Sequence, residues 1–160
     1  MRLNIADADI DFGLRQLNDI GLRALSPAVN DQTTAVEVIL RVSSVMRPLI
    51  EADLPAQAQR DAEGRVLLTP WDLDHGEYVT HAYGQIGRYA APHPQVALAL
   101  IRAVRMLRSA AESYDGDRTD AIAALDTQIE SILELAVSAG LHDSELAPLR
   151  AAATATTTQP

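Results

Sequence analysis

Residues 12–35 read FGLRQLNDIGLRALSPAVNDQTTA, and this stretch decides the fold class. Leu14, Leu17, Gly21 and Ala24, with Ile10 ahead of them, recur at steps of three and four, the spacing that lines up one face of a helix. The pattern predicts a first helix over residues 9–25. Ser26-Pro27 stops it, because proline disfavours helical backbone in the residue before it. Asn30 or Asp31 then serves as the N-cap of a second helix, its side-chain oxygen accepting from a first-turn amide. Thr34 and Glu37 offer a capping-box alternative. Ala35, Val38, Ile39, Val42, Val45, Met46 and Leu49 make the inner face of that helix, and Pro48 bends or ends it near its last turn.

The same period governs most of the remaining chain. A third helix is expected from Asp72 or Asp74 to about Ala90, with Val79, Ala82, Tyr83, Ile86 and Tyr89 inward. Pro94 suits the first position of a fourth, which carries Val96, Leu100, Ala103, Val104 and Leu107 and stops before Asp115-Gly116. A fifth starts at an Asp117 cap, uses Ile122, Leu125, Ile129, Ile132, Leu133 and Ala136, and closes at Gly140. A short sixth covers residues 144–152. The exception is Gly64–Thr69, which reads as a strand ended by Pro70 after a polar connection over 52–64. A lone strand needs a partner, so it is either an extended arm or half of a pairing made across a dimer. The expectation is an all-α compact bundle of five or six helices in a single domain, 1–152. It has one extended segment near 65–69 and a disordered tail, 153–160.

Composition narrows the chemistry. The 160 residues suffice for one domain with a proper core. All 13 basic residues are arginine and there is no cysteine, which excludes lysine Schiff bases, a P-loop lysine, disulfides and thiolate chemistry. A net charge of −9 repels phosphate backbones, so no nucleic-acid partner is expected. The longest apolar run, Val96–Ile101, is far short of a bilayer span. The N-terminus lacks the apolar core of a signal peptide, which points to a cytoplasmic location. The charge is unevenly spread: residues 79–115 carry four arginines against two acids, and 116–160 two against seven.

Four groups of residues invite a chemical reading. Asp11, Arg15, Asp19 and Arg23 climb one helix face at steps of four, and the Pro27 turn brings Asn30-Asp31 back toward Arg23. Arg15, Asp19, Arg23, Asn30 and Asp31 are therefore the candidate ligand-binding set, with a purely structural corner as the competing reading. Asp72, Asp74 and His75, near Glu77 and His81, are metal-like residue types, but acids at a helix start are also what capping requires. No metal or other cofactor is called for, and no catalytic set stands out. Arg102, Arg105 and Arg108 form either an anion patch or a row of partners for Asp126, Glu130 and Glu134 on the next helix. Trp71, Tyr78, Tyr83 and Tyr89 form either core or a partner surface.

The opening stretch also resembles the signature of the DUF2254 family of bacterial membrane proteins, approximately FGLRQLxDIAxRALSPGINDPxTA. Phe12 to Leu17, Asp19, Ile20, Arg23 to Pro27, Asn30, Asp31, Thr34 and Ala35 agree with it. Ala28 and Gln32 replace its glycine and proline. Gly64-Arg65-Val66 and residues 81–104, HAYGQIGRYAAPHPQVALALIRAV, continue the resemblance, although His93 departs from the acidic residue usual there. The resemblance implies a soluble part that follows several membrane helices, either free-standing or excised, and it carries no established activity. The resulting expectation is a non-catalytic interaction or regulatory domain at the inner face of the membrane. It would be a homo-oligomer, with a membrane-protein partner or a fused membrane segment outside this chain. The alternative is a small-molecule-binding or hydrolytic domain.

Overall fold

The computed structural model describes residues 7–54, 58–60, 62–68 and 73–155. Six helices account for most of them: α1 (Asp7–Ala24), α2 (Gln32–Ile50), α3 (His75–Ala90), α4 (Pro94–Ser113), α5 (Thr119–Ser138) and α6 (Asp143–Thr154). Between α2 and α3 lies a small antiparallel ribbon of β1 (Ala58–Arg60) and β2 (Val66–Leu68). α2, α3, α4 and α5 pack on one another in the middle of the bundle. α1 lies against α2 and α3, and α6 against α4 and α5.

The helix ends follow from local chemistry. Asp31 caps α2, its carboxylate accepting from the Thr34 amide at 3.0 Å and the Thr34 hydroxyl at 2.6 Å. This leaves the Thr34–Glu37 alternative unused. The turn before it holds Asn30 at φ 47°, a left-handed conformation that asparagine tolerates better than other side chains. The Asp31 amide donates to Ala24 O at 2.7 Å and ties the corner to the end of α1. Asp74 and Glu77 close a capping box on α3. Pro94 opens α4, as expected. Asp117 serves α5 from one residue before the cap, accepting from Thr119 N at 3.0 Å. At the end of α5, Gly140 at φ 82° lets the Leu141 and Gly140 amides donate back to Ala136 and Val137.

Most of the expected inner faces are buried: Leu14, Val38, Ile39, Val42, Met46, Val79, Ala82, Tyr83, Ile86, Leu100, Val104, Leu125 and Ile132 all lie in one core. Gly21 is buried on the inner stripe of α1, against α2 and α3. A Cβ built there would stand 2.8 Å from Ile86 Cδ1 and 3.2 Å from Val38 Cγ1. A buried hydroxyl pair joins α2 to α3, with Ser43 Oγ 2.8 Å from Tyr83 Oη and also donating to Ile39 O. Burial pushes the Tyr83 phenol well above its ordinary value, and its bond to Ser43 only partly offsets this.

Several expectations need correction. The extended segment is not a lone strand: Val66–Leu68 pairs with Ala58–Arg60 inside the same chain, within a stretch read as polar connection. Gly64 at φ 80° allows the turn between them. Val45 and Tyr89 face outward, not inward. Tyr78 and Tyr83 are core, so they do not form an aromatic surface with Tyr89, and Trp71 lies outside the described residues. α6 continues to Thr154, two residues into the expected tail, of which 156–160 lie outside the described residues.

Candidate functional site

A cleft of about 530 Å³ opens between α1 and α3, lined by Arg15, Asn18, Asp19, Thr80, His81, Gly84, Gln85 and Arg88. Three contacts fix its walls. His81 Nδ1 lies 2.7 Å from Asp11 Oδ1, and Arg15 Nη2 lies 2.7 Å from Asp11 Oδ2, so one carboxylate holds both side chains. Asn18 Nδ2 donates to His81 O at 2.8 Å across the helix interface. Gly21, one turn further on, lets the two backbones approach. Asp11 is partly buried, which raises its pKa, but the hydrogen bonds from His81 and Arg15 outweigh this and hold it below its ordinary 3.8.

The groups left over are the informative ones. Asn18 is only 2% exposed, and its Oδ1 has no hydrogen-bond partner among the described residues. Asp19 on α1 and Arg88 on α3 are exposed and pair with no other described residue. Thr80 Oγ1 is already committed to Gly76 O at 3.0 Å. The cleft thus offers a carboxylate and a guanidinium that are unpaired among the described residues, one on each facing helix.

Of the five expected ligand-binding residues, the structure brings only Arg15 and Asp19 to this cleft. Arg23 and Asn30 are exposed, and Asp31 is consumed by capping. No Arg23–Asp31 pair forms among the described residues. The cause is geometric: the Asp31 carboxylate turns to the Thr34 amide and hydroxyl, which need it more than a solvated guanidinium does. The metal-like residues do not converge either. Asp74 caps α3, the Glu77 side chain closes the same box, and His75 turns inward to Ala52 O at 3.0 Å. His81 goes to Asp11, Asp72 lies outside the described residues, and no grouping of three or more metal-ligating side chains occurs among the described ones.

The arginines of α4 divide. Arg108 pairs with Asp126 at 2.5 Å and with Glu112, which raise its pKa. Arg105 instead donates to Ala155 O at the end of α6, and Arg102 shares a groove with it facing α6, so among the described residues the expected α5 pairing forms at Arg108 and not at these two. Sequence reasoning missed Arg118 altogether. It is 6% exposed and donates from Nε to Ile50 O (2.6 Å), from Nη2 to Ala52 O (2.8 Å) and from Nη1 to Asp117 O (2.6 Å), with Tyr114 stacked 3.9 Å beneath it. It also missed Asn18 as a site residue, although a polar side chain set between Leu14 and Gly21 on the inner stripe was the available signal.

With the cleft described, similarity to other proteins becomes informative. The family described as Predicted membrane protein (DUF2254) matches residues 3–106. This chain belongs to the DUF2254 family. The DUF2254 match spans α1 to most of α4, including both walls of the cleft. Uncharacterised proteins of Mycobacterium tuberculosis and Mycobacterium bovis are each 36% identical to it over 149 residues. That stretch is 91% of this DUF2254 chain but only 27% of either relative, so the chain spans about a quarter of their length. No solved structure matches. Among the described residues, no helix is long and apolar enough to cross a membrane.

Proposed function

We propose that this chain is a non-catalytic regulatory domain of a longer DUF2254 membrane protein, facing the cytoplasm, and that it reads a small polar ligand in the α1–α3 cleft. The observation that carries this reading is the cleft itself. Its walls are pinned by Asp11–His81 and Asn18–His81, while Asp19 and Arg88 pair with no other described residue. Preorganised walls with a few convergent polar groups are the usual form of a small-molecule site. The test is capture of a ligand from a small-molecule extract by the purified chain, read by mass spectrometry. Gly84→Phe serves as the filled-cleft control, since a Cβ at Gly84 meets nothing closer than Thr80 Cγ2 at 3.8 Å. Capture by the wild type only, with the compound recovered unchanged, supports the reading. Equal capture by both, or by neither, overturns it. A second, hydrolytic reading rests on the Asp11–His81 pair, which orients an imidazole whose Nε2 has no partner among the described residues. Recovery of a cleaved product favours that one.

A further inference from the structure

Two charged side chains that line the α1–α3 cleft differ in sign, and together they select a ligand class. Asn18 Oδ1 accepts and cannot donate. It is sealed from solvent, so a ligand in the cleft does not reach it. Asp19, the next residue of α1, adds a free carboxylate on the same wall. Facing them from α3, Arg88 offers a guanidinium with no ion pair among the described residues, and a guanidinium fork matches a carboxylate or phosphate through two parallel bonds.

A simple anion does not fit this set. Arg15 is already neutralised by Asp11 at 2.7 Å, so with Asp19 and Arg88 cancelling, these four groups leave the cleft with no net charge. An anion alone would leave Asp19 as a repulsive neighbour. A cation alone would leave Arg88 unsatisfied. We infer that the α1–α3 cleft binds a small zwitterion, its ammonium paired with Asp19 and its carboxylate or phosphate taken by Arg88. The chemistry shared by free α-amino acids and by the phosphoethanolamine headgroup fits this description. Gln85, exposed on the same wall as Arg88, is placed to hydrogen-bond whatever lies beyond the charged ends.

This inference rests on the proposed ligand-binding function, and the experiment separates the two. Binding to the wild-type chain is measured by calorimetry for a panel of L-α-amino acids and for glycerophosphoethanolamine. Acetate, inorganic phosphate and methylammonium serve as one-ended controls. Arg88→Gln and Asp19→Asn remove one arm each; both positions are exposed, so the fold is retained, which circular dichroism verifies. The expected result is binding of at least one zwitterion, weakened tenfold or more by either substitution, with no binding of the one-ended ions. Preference for an amino acid or for the headgroup compound identifies the source. If acetate or phosphate binds as tightly and responds only to Arg88→Gln, the zwitterion assignment is overturned while the ligand-binding reading stands. If no zwitterion binds, the assignment is overturned outright, and capture from extract still judges the broader reading on its own.

Discussion

Replacing Arg118 tests whether one buried cation holds three segments of the chain together. Its guanidinium fills Ile50 O and Ala52 O at the C-terminal end of α2, Asp117 O at its own helix start, and the face of Tyr114. Ala52 O also lies 3.0 Å from His75 Nε2, which must carry the proton because a carbonyl only accepts. Truncation therefore orphans Ile50 O completely and Ala52 O only in part. A buried carbonyl left unpaired costs about 1–3 kcal/mol, and loss of the cation–ring stack adds about 1 kcal/mol. Relief of the guanidinium's own desolvation works in the other direction. The expected net cost of Arg118→Ala is about 3 kcal/mol, a drop in Tm of roughly 6–12 °C for a chain of this size. Arg118→Met keeps much of the apolar stem and isolates the polar part at about 2 kcal/mol. Arg118→Lys keeps the charge, loses the fork, and falls between Met and wild type. Urea denaturation with a common m-value measures all three. Stability of Arg118→Met within about 0.5 kcal/mol of wild type would refute the reasoning, because the carbonyls would then be satisfied without the guanidinium.

Further predictions concern the α1 interface and the core. Gly21→Ala gains helix propensity of about 1 kcal/mol but forces Cβ against Ile86 and the stiff Val38 side chain. It should be net destabilising by about 1 kcal/mol in thermal unfolding, with Ile86→Val restoring most of the loss. Ser43→Ala strands the Tyr83 hydroxyl in the core and should cost about 1–3 kcal/mol; the double variant Ser43→Ala/Tyr83→Phe should cost less than Ser43→Ala alone. Asp11 has a folded pKa below its ordinary 3.8, so its contribution is complete above that value and is lost as pH falls through the folded one. Between about pH 5 and pH 3 the wild type should therefore lose more stability than Asp11→Asn in denaturant titrations.

Much of the fold was legible because it is written locally. The corner between α1 and α2 follows from Ser26-Pro27 and a short acid, and the Pro94 start and Gly140 stop are single-residue signals. Features that depend on distant packing were not legible. Asn18 meets His81 across 63 positions of sequence, and Arg118 meets Ile50 across 68. Beside Asp117, Arg118 carries no local signal of the burial it reaches. β1 is the short triplet Ala58-Gln59-Arg60, too short to show an alternation that marks a strand, and its pairing with Val66–Leu68 reveals it. The candidate site was half legible for the same reason: the charge ladder on α1 exposed Arg15 and Asp19, while the α3 wall depended on how two helices dock.

The Arg118 contact also bears on the order in which the chain assembles. Its acceptors lie at the end of α2 and its stem at the start of α5, with His75 of α3 sharing one carbonyl. The α5 segment lies more than 60 residues from the α2 carbonyls it meets, so the cluster can close only after α2, α3 and α5 have come together. Interactions that form after the folding barrier leave the folding rate nearly untouched and are felt on the way out. Stopped-flow measurements on Arg118→Met should show faster unfolding at an almost unchanged folding rate, which makes this single guanidinium a latch on the lifetime of the folded domain.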